Sequence, residues 1–173
     1  TEGLAIFALV NKGVLTITDH ICDNCFGMGA DHFVSGTAFP INGLLDAEDF
    51  ALQFDFNFET DHSVNKVAMQ FRSYEFGITR NGIWTLFDNS GSQTKRVKDG
   101  NTSLQSQRNT LLVITLKENL AIYLNNTLLY KTTDALLTGR NNRISVMGES
   151  GSSMDFDSFK FWNLDGVGLK IKK

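Results

Sequence analysis

The only two cysteines, Cys22 and Cys25, stand in the stretch HICDNC (His20–Cys25). Three chemistries use such a pair. A zinc ribbon needs two pairs, and completing one here with His20 and His32 matches no standard ligand spacing. A thioredoxin-type thiolate needs a following helix, and Phe26-Gly27-Met28-Gly29 is a poor helix start. A short-range Cys22–Cys25 disulfide pinning a surface loop suits a secreted β-protein better, with free thiols and a metal site as the alternatives. So small a loop restricts few unfolded conformations. Reduction is therefore expected to loosen residues 20–32 and leave the rest folded.

Carboxylates are the next candidates, because glycoside hydrolysis wants two of them ~5 to 9.5 Å apart. Asp55 and Glu59 lie four residues apart on one extended segment, a separation of ~13 Å at strand rise, which is too wide. Asp155 and Asp157 would be ~6.6 Å apart on a regular strand. Phe156 and Phe159, however, share a buried face only if a bulge intervenes, and a bulge splays the two acids. The reading is therefore of solvated or structural carboxylates, with no catalytic residue assigned. Neither a Gly-x-Ser-x-Gly elbow nor a phosphate-binding glycine loop is present.

A sugar site asks for less: an aromatic ring to stack on the pyranose or furanose face, flanked by amide, acid or guanidinium groups. Arg72, Tyr74, Trp84, Asp88 and Asn89 cluster around a predicted hairpin, with Gln53, Asp55 and Asn57 on a neighbouring strand. These eight form the expected ligand-binding set. Trp84 sits in an alternating IWTLF run whose either face could be the core, and Trp162 reads as a core or rim aromatic. Loops such as FDNSG (Phe87–Gly91) offer oxygen ligands of the kind calcium takes, without an EF-hand pattern; otherwise no cofactor is expected. Two sequons, Asn101-Thr102-Ser103 and Asn125-Asn126-Thr127, matter only in a eukaryotic secretory route.

The elements that must position these residues are strands. In FALQFDFNFE (Phe50–Glu59), Leu52, Phe54, Phe56 and Phe58 fall on one side, and Gln53, Asp55, Asn57 and Glu59 on the other. Similar runs recur at Gly13–Asp19, His32–Phe39, Lys66–Arg72, Tyr74–Thr79, Ile83–Asp88, Thr110–Glu118, Leu120–Asn126, Thr127–Thr132, Arg143–Glu149 and Asp155–Leu164. RNG (Arg80–Gly82) is the strongest hairpin signal, and KEN (Lys117–Asn119) and Asn125–Asn126 are two more. KRVK (Lys95–Lys98) and KIKK (Lys170–Lys173) read as a solvated loop and a frayed end. Helix is expected only as a turn near Leu44–Phe50 or Asp134–Arg140. One proline in the chain leaves the ladders uninterrupted. About eleven short strands with hairpin spacing imply an all-β, two-sheet antiparallel jelly-roll sandwich.

Composition agrees. The chain has 173 residues, 42% hydrophobic and 20% charged, enough to bury the core of a single domain. Its longest apolar run, Leu4–Val10, is strand-sized, so no direct membrane span is expected. A formal net charge of −3 disfavours non-specific nucleic-acid binding. Thr1 begins the chain without the features of a secretory signal, which fits a processed form or an excised domain.

The order of pieces resembles a known family. An aromatic alternating strand is followed by VAMQFRSYEFGITRNGIWTLF (Val67–Phe87), QRNTLLVITLKENLAIYLNNTLLY (Gln107–Tyr130), RISVMGE and a closing FDSFKFWNL. This is similar to the concanavalin A-like, laminin-G-like jelly rolls of bacterial surface and secreted proteins, including 3-keto-disaccharide hydrolase domains and levan-binding modules. The resemblance covers about residues 50–164, with 1–49 as an N-terminal extension of the same domain and 165–173 as a tail. The family usually has Asn-Gly where this chain has Asn125-Asn126, and Phe-Asp-Asn-Phe where it has Phe156-Asp157-Ser158-Phe159. The resemblance implies an extracytoplasmic, non-catalytic recognition module whose ligand is a glycan. A structural or protein-interaction subunit is the alternative, and an oligosaccharide hydrolase comes third.

Overall fold

The computed structural model describes residues 7–11, 14–18, 34–40, 48–58, 64–137, 142–148 and 153–166; His20, Cys22, Cys25 and His32 lie outside them, as does most of the Leu44–Phe50 segment. Thirteen strands lie among the described residues. They are β1 (Phe7–Asn11), β2 (Val14–Thr18), β3 (Val34–Pro40), β4 (Phe50–Phe56), β5 (Val64–Phe71), β6 (Tyr74–Thr79) and β7 (Ile83–Asp88). The rest are β8 (Lys95–Asn101), β9 (Asn109–Leu116), β10 (Asn119–Leu124), β11 (Thr127–Thr132), β12 (Asn142–Gly148) and β13 (Ser153–Asn163). They form two antiparallel sheets, a seven-stranded one ordered β1-β2-β13-β4-β9-β10-β11 and a six-stranded one ordered β3-β12-β5-β6-β7-β8.

The aromatic side of β4 supplies the middle of the core. Phe50, Leu52, Phe54 and Phe56 are 0 to 2% exposed. Each buried phenylalanine stabilises by roughly 1.5 to 3 kcal/mol. Phe54 meets Phe156 edge-on at 5.6 Å, tying β4 to β13. The six-stranded sheet brings Val67, Met69 and Phe71 of β5, Phe76 and Ile78 of β6, and Trp84 and Leu86 of β7 into the same cluster. Period-two alternation thus decides which residues of every strand are left to face outward.

Turns follow from local chemistry. At Arg80–Gly82 only Gly82 has positive φ, +77°, and its N–H bonds to Thr79 O at 2.9 Å. That is a three-residue loop closed by a glycine bulge, where Asn-Gly in a two-residue turn would need both φ angles positive. A Cβ on Gly82 would stand 2.0 Å from Thr102 O. Asn125 and Asn126, at φ +49° and +64°, do make the two-residue turn. Asn125 also holds the start of β9, accepting from Thr110 N at 2.9 Å and donating to Asn109 Oδ1 at 3.0 Å.

Two expectations differ. Lys95–Lys98 opens β8, an edge strand paired with β7; its charges are what an exposed edge carries against wrong pairing. Over Asp134–Leu137, the described part of the Asp134–Arg140 segment, the backbone is irregular where a helical turn is expected. Its polar groups have outside partners: Ala135 N donates to Glu118 O at 2.8 Å, Ser73 Oγ to Leu136 O at 2.7 Å, and Leu136 N to the Tyr74 hydroxyl at 3.2 Å.

Candidate functional site

The outward face of the six-stranded sheet combines small, aromatic and charged residues in register. One cross-strand row runs Ala68–Gly77–Thr85–Asp99 through β5, β6, β7 and β8. A parallel row runs Gln70–Glu75–Phe87–Arg96, and Arg143 of β12 pairs with Gln70 at its end. The first row makes a trough. Ala68 points away from the core yet is only 1% exposed, because its small side chain lies below taller neighbours.

Gly77 explains the depth. A Cβ there would sit 2.1 Å from Lys66 Cε, so the absent side chain lets the lysine stem lie along the trough. Lys66 Nζ then reaches Glu75 Oε1 at 3.7 Å and stands 6.0 Å from the Phe87 ring centroid. The Arg96 guanidinium is 5.9 Å from the same centroid, and Nη1 bonds Asp99 at 3.3 Å. Gln70 Oε1 is buried and has no hydrogen-bond partner among the described residues. An aromatic face, two cations, two carboxylates and a waiting acceptor therefore line one groove. Such a set can stack on a sugar ring and bond its hydroxyls from both sides.

A second polar cluster sits on the opposite sheet. Asp55 of β4 is directly across from Asp157 of β13 on one side and Thr110 of β9 on the other. Its carboxylate accepts from the Thr110 hydroxyl and pairs with Arg108, which also donates to Ser158 Oγ at 2.7 Å. A bulge between Asp157 and Lys160, with Ser158 at φ +55°, makes room for this arrangement. Burial pushes the Asp55 carboxyl up, but hydrogen bonds from Arg108, Thr110 and Ser158 and the Arg108 charge outweigh it and hold it below the ordinary value of 3.8. Both Asp55 oxygens are occupied, so Asp55 with Arg108 and Thr110 works as a clasp between strands.

No protein-family model matches the chain, and no curated protein matches it in sequence. Solved structures do resemble it in shape. The carbohydrate-binding module CBM66 from Bacillus subtilis aligns over 92% of this chain and 91% of its own, at 13% identity and TM-score 0.55. The exoplasmic/lumenal domain of VIP36, in a Ca2+/Man-bound form, aligns over 96% and 84%, at 9% identity and TM-score 0.62. Sheep galectin-11 in complex with glycerol aligns over 79% and 100%, at 9% identity and TM-score 0.51. The fold is a concanavalin A-like jelly roll.

Within this concanavalin A-like jelly roll the eight residues expected to bind ligand do not form one site: Tyr74 pairs with Asp88, with Arg72 and Asn89 beside them, but Trp84 is in the core and Gln53, Asp55 and Asn57 belong to the other sheet. Trp84 is 4% exposed, tilted against Phe76 at 6.1 Å in the core. Tyr74 is buried and stacked on Phe71, with its hydroxyl bonded to Leu136 N. Arg72, at φ +53°, binds the carbonyls of Glu48 and Leu137 and fastens the β5–β6 turn. Asp88 Oδ1 accepts from Ser90 N at 2.8 Å, and Asn89 N donates to Ser73 O at 2.6 Å. Gln53 and Asp55 face outward from the other sheet, and Asn57 follows the end of β4.

Phe87, Glu75, Gln70 and Lys66 were the residues to find. Once Trp84 is taken as inward, alternation in IWTLF turns Thr85 and Phe87 outward, and the register brings Glu75 beside them. For calcium, Asp88 is the one carboxylate in Phe87–Gly91, and no group of three His, Cys, Asp or Glu converges among the described residues.

Proposed function

We propose that the chain is a non-catalytic, glycan-binding module of an extracytoplasmic protein, and that its ligand lies in the trough on the six-stranded sheet. The observation that carries this reading is the half-buried Phe87 ring on the outward face, with Lys66 and Arg96 at 6.0 and 5.9 Å and an acceptor, Gln70 Oε1, in the same row. The similar folds of a carbohydrate-binding module and of a Ca2+/Man-bound domain support the ligand class.

In this reading a sugar ring stacks on Phe87, displaces the lysine stem from above Gly77, and takes hydrogen bonds from Lys66 and Arg96. Glu75, Gln70 and Asp99 accept from its hydroxyls. The engaged state of Asp55 supports the non-catalytic part, because a carboxylate held by Arg108 and Thr110 is not free to act as acid or nucleophile. The outward location supports an open ligand, a chain crossing several strands.

A glycan array followed by calorimetry on the best ligand tests it. Phe87→Ala is expected to weaken binding about tenfold or more, the usual cost of losing a central aromatic contact, with the melting temperature nearly unchanged. Equal affinity of Phe87→Ala and wild type would refute the site. Gln53→Ala, on the other sheet, is the control and is expected to bind normally.

A further inference from the structure

Lys66 does not keep to its own cross-strand row. Its backbone pairs with Thr79 of β6, but its side chain leans over Gly77 of the next row, where a Cβ would stand 2.8 Å from Nζ. The ammonium is thereby carried toward the row Gln70–Glu75–Phe87–Arg96. There it is short of partners. Its 3.7 Å separation from Glu75 Oε1 is an ion pair too long for a hydrogen bond, and Lys66 makes no hydrogen bond to any described residue, although an ammonium has three donors. The side chain is only 24% exposed, so much of its hydration is lost as well. Gln70 Oε1, in the same row, is a buried acceptor equally unmatched among the described residues.

A second cation reaches the Phe87 ring from β8. Arg96 stands 5.9 Å from the ring centroid, and its one charge partner, Asp99, is held in an ion pair whose side chains are 64% and 57% exposed. So exposed a pair contributes little, which leaves the guanidinium ready to exchange Asp99 for another anion. Arg143 of β12 occupies the register position beside Gln70 at the end of the row. The groups that oppose an incoming anion are Glu75 and Asp99 themselves.

We infer that the ligand of this trough is an anionic glycan, a chain of uronate or sulfated sugars whose acid group lies between Lys66 and Arg96 while a neighbouring hydroxyl donates to Gln70 Oε1. The inference rests on the trough being the ligand site and adds the chemical class of the ligand. Any sugar that stacks on Phe87 has to move the lysine stem from above Gly77. A neutral hydroxyl then offers the displaced ammonium an ordinary hydrogen bond. An acid group replaces the 3.7 Å contact with charge-assisted bonds of ~2.7 to 2.9 Å, which are about twice as strong.

Calorimetry of the full chain with oligogalacturonate, oligoalginate and a carrageenan oligosaccharide, each beside its carboxyl-reduced or desulfated form, tests this. At least one acidic form is expected to bind about tenfold or more tighter than its neutral counterpart, and to weaken as NaCl is raised from about 0.05 to about 0.3 M. The uronate and sulfate arms tell which acid is taken. Lys66→Gln is expected to remove most of the preference for the acidic form, and Glu75→Gln, which relieves repulsion, to strengthen it several-fold; melting curves show that both variants are folded. Neutral forms binding as tightly as acidic ones, with Phe87→Ala still weakening them, would overturn the inference and leave the trough as the site. Acid binding indifferent to both Lys66→Gln and Phe87→Ala, or no binding by any oligosaccharide, would overturn the inference and the site together.

Discussion

Phe56→Asp is expected to abolish the cooperative thermal transition of this chain. Phe56 is 2% exposed, pairs with Phe156 and Asn109, and touches the Phe58 ring edge-on at 5.7 Å. Removing such a ring costs ~3 to 5 kcal/mol, and a carboxylate stranded in its place costs several more. The sum is comparable with the ~5 to 15 kcal/mol that holds a whole domain together. Phe56→Leu keeps most of the volume and is expected to melt cooperatively at a lower temperature. A Phe56→Asp protein melting within a few degrees of wild type would mean that β4 does not anchor the core.

The second large effect concerns Asp55. Its folded carboxyl titrates below 3.8, so its contribution to stability is fully present above that value and is lost as the pH falls through the lower folded value. Asp55→Asn is expected to cost about 1 to 2 kcal/mol at pH 7, the lower part of the range for charged hydrogen bonds because the Arg108 guanidinium is largely in water. The gap from wild type should narrow as the pH falls below 3.8 and the native carboxyl takes up its proton. Arg108→Ala should be the more damaging single change at neutral pH, since it leaves Asp55 facing Asp157 without a cation. Adding Asp55→Asn to it should recover part of the loss. Urea denaturation at several pH values reads all of this. A gap that is constant with pH would show that the clasp does not depend on the Asp55 charge.

Much of the architecture was legible because it is written in local period. FALQFDFNFE alternates cleanly, and its aromatic side is the core. Asn125-Asn126 marks its turn through the tolerance of asparagine for positive φ, and the spacing of Phe156 and Phe159 calls for the bulge found at Ser158. β8 was hidden because Lys95-Arg96-Val97-Lys98 has the composition of a loop and gains its strand only from β7.

The candidate site was much less legible, for a physical reason. Aromatic type alone does not tell which face of a sheet a ring occupies. Trp84 looks like a platform and is core, whereas Phe87, three residues on, carries the outward ring. Cross-strand neighbours are equally silent in one dimension. Asp55 meets Asp157 across β4 and β13, and neither position says so on its own. Arg72 was attractive as an exposed cation, but the turn needs it to bind two carbonyls.

The ligand trough is the central claim, and amide chemical-shift mapping tests it most directly. Uniformly labelled protein would be titrated with the glycan that binds best on an array. The expected result is that the largest shifts fall on Gln70, Glu75, Gly77, Phe87 and Arg96, with little change on Gln53, Leu112 or Trp162. Shifts concentrated on the seven-stranded sheet, or no saturable shifts with any glycan, would contradict it.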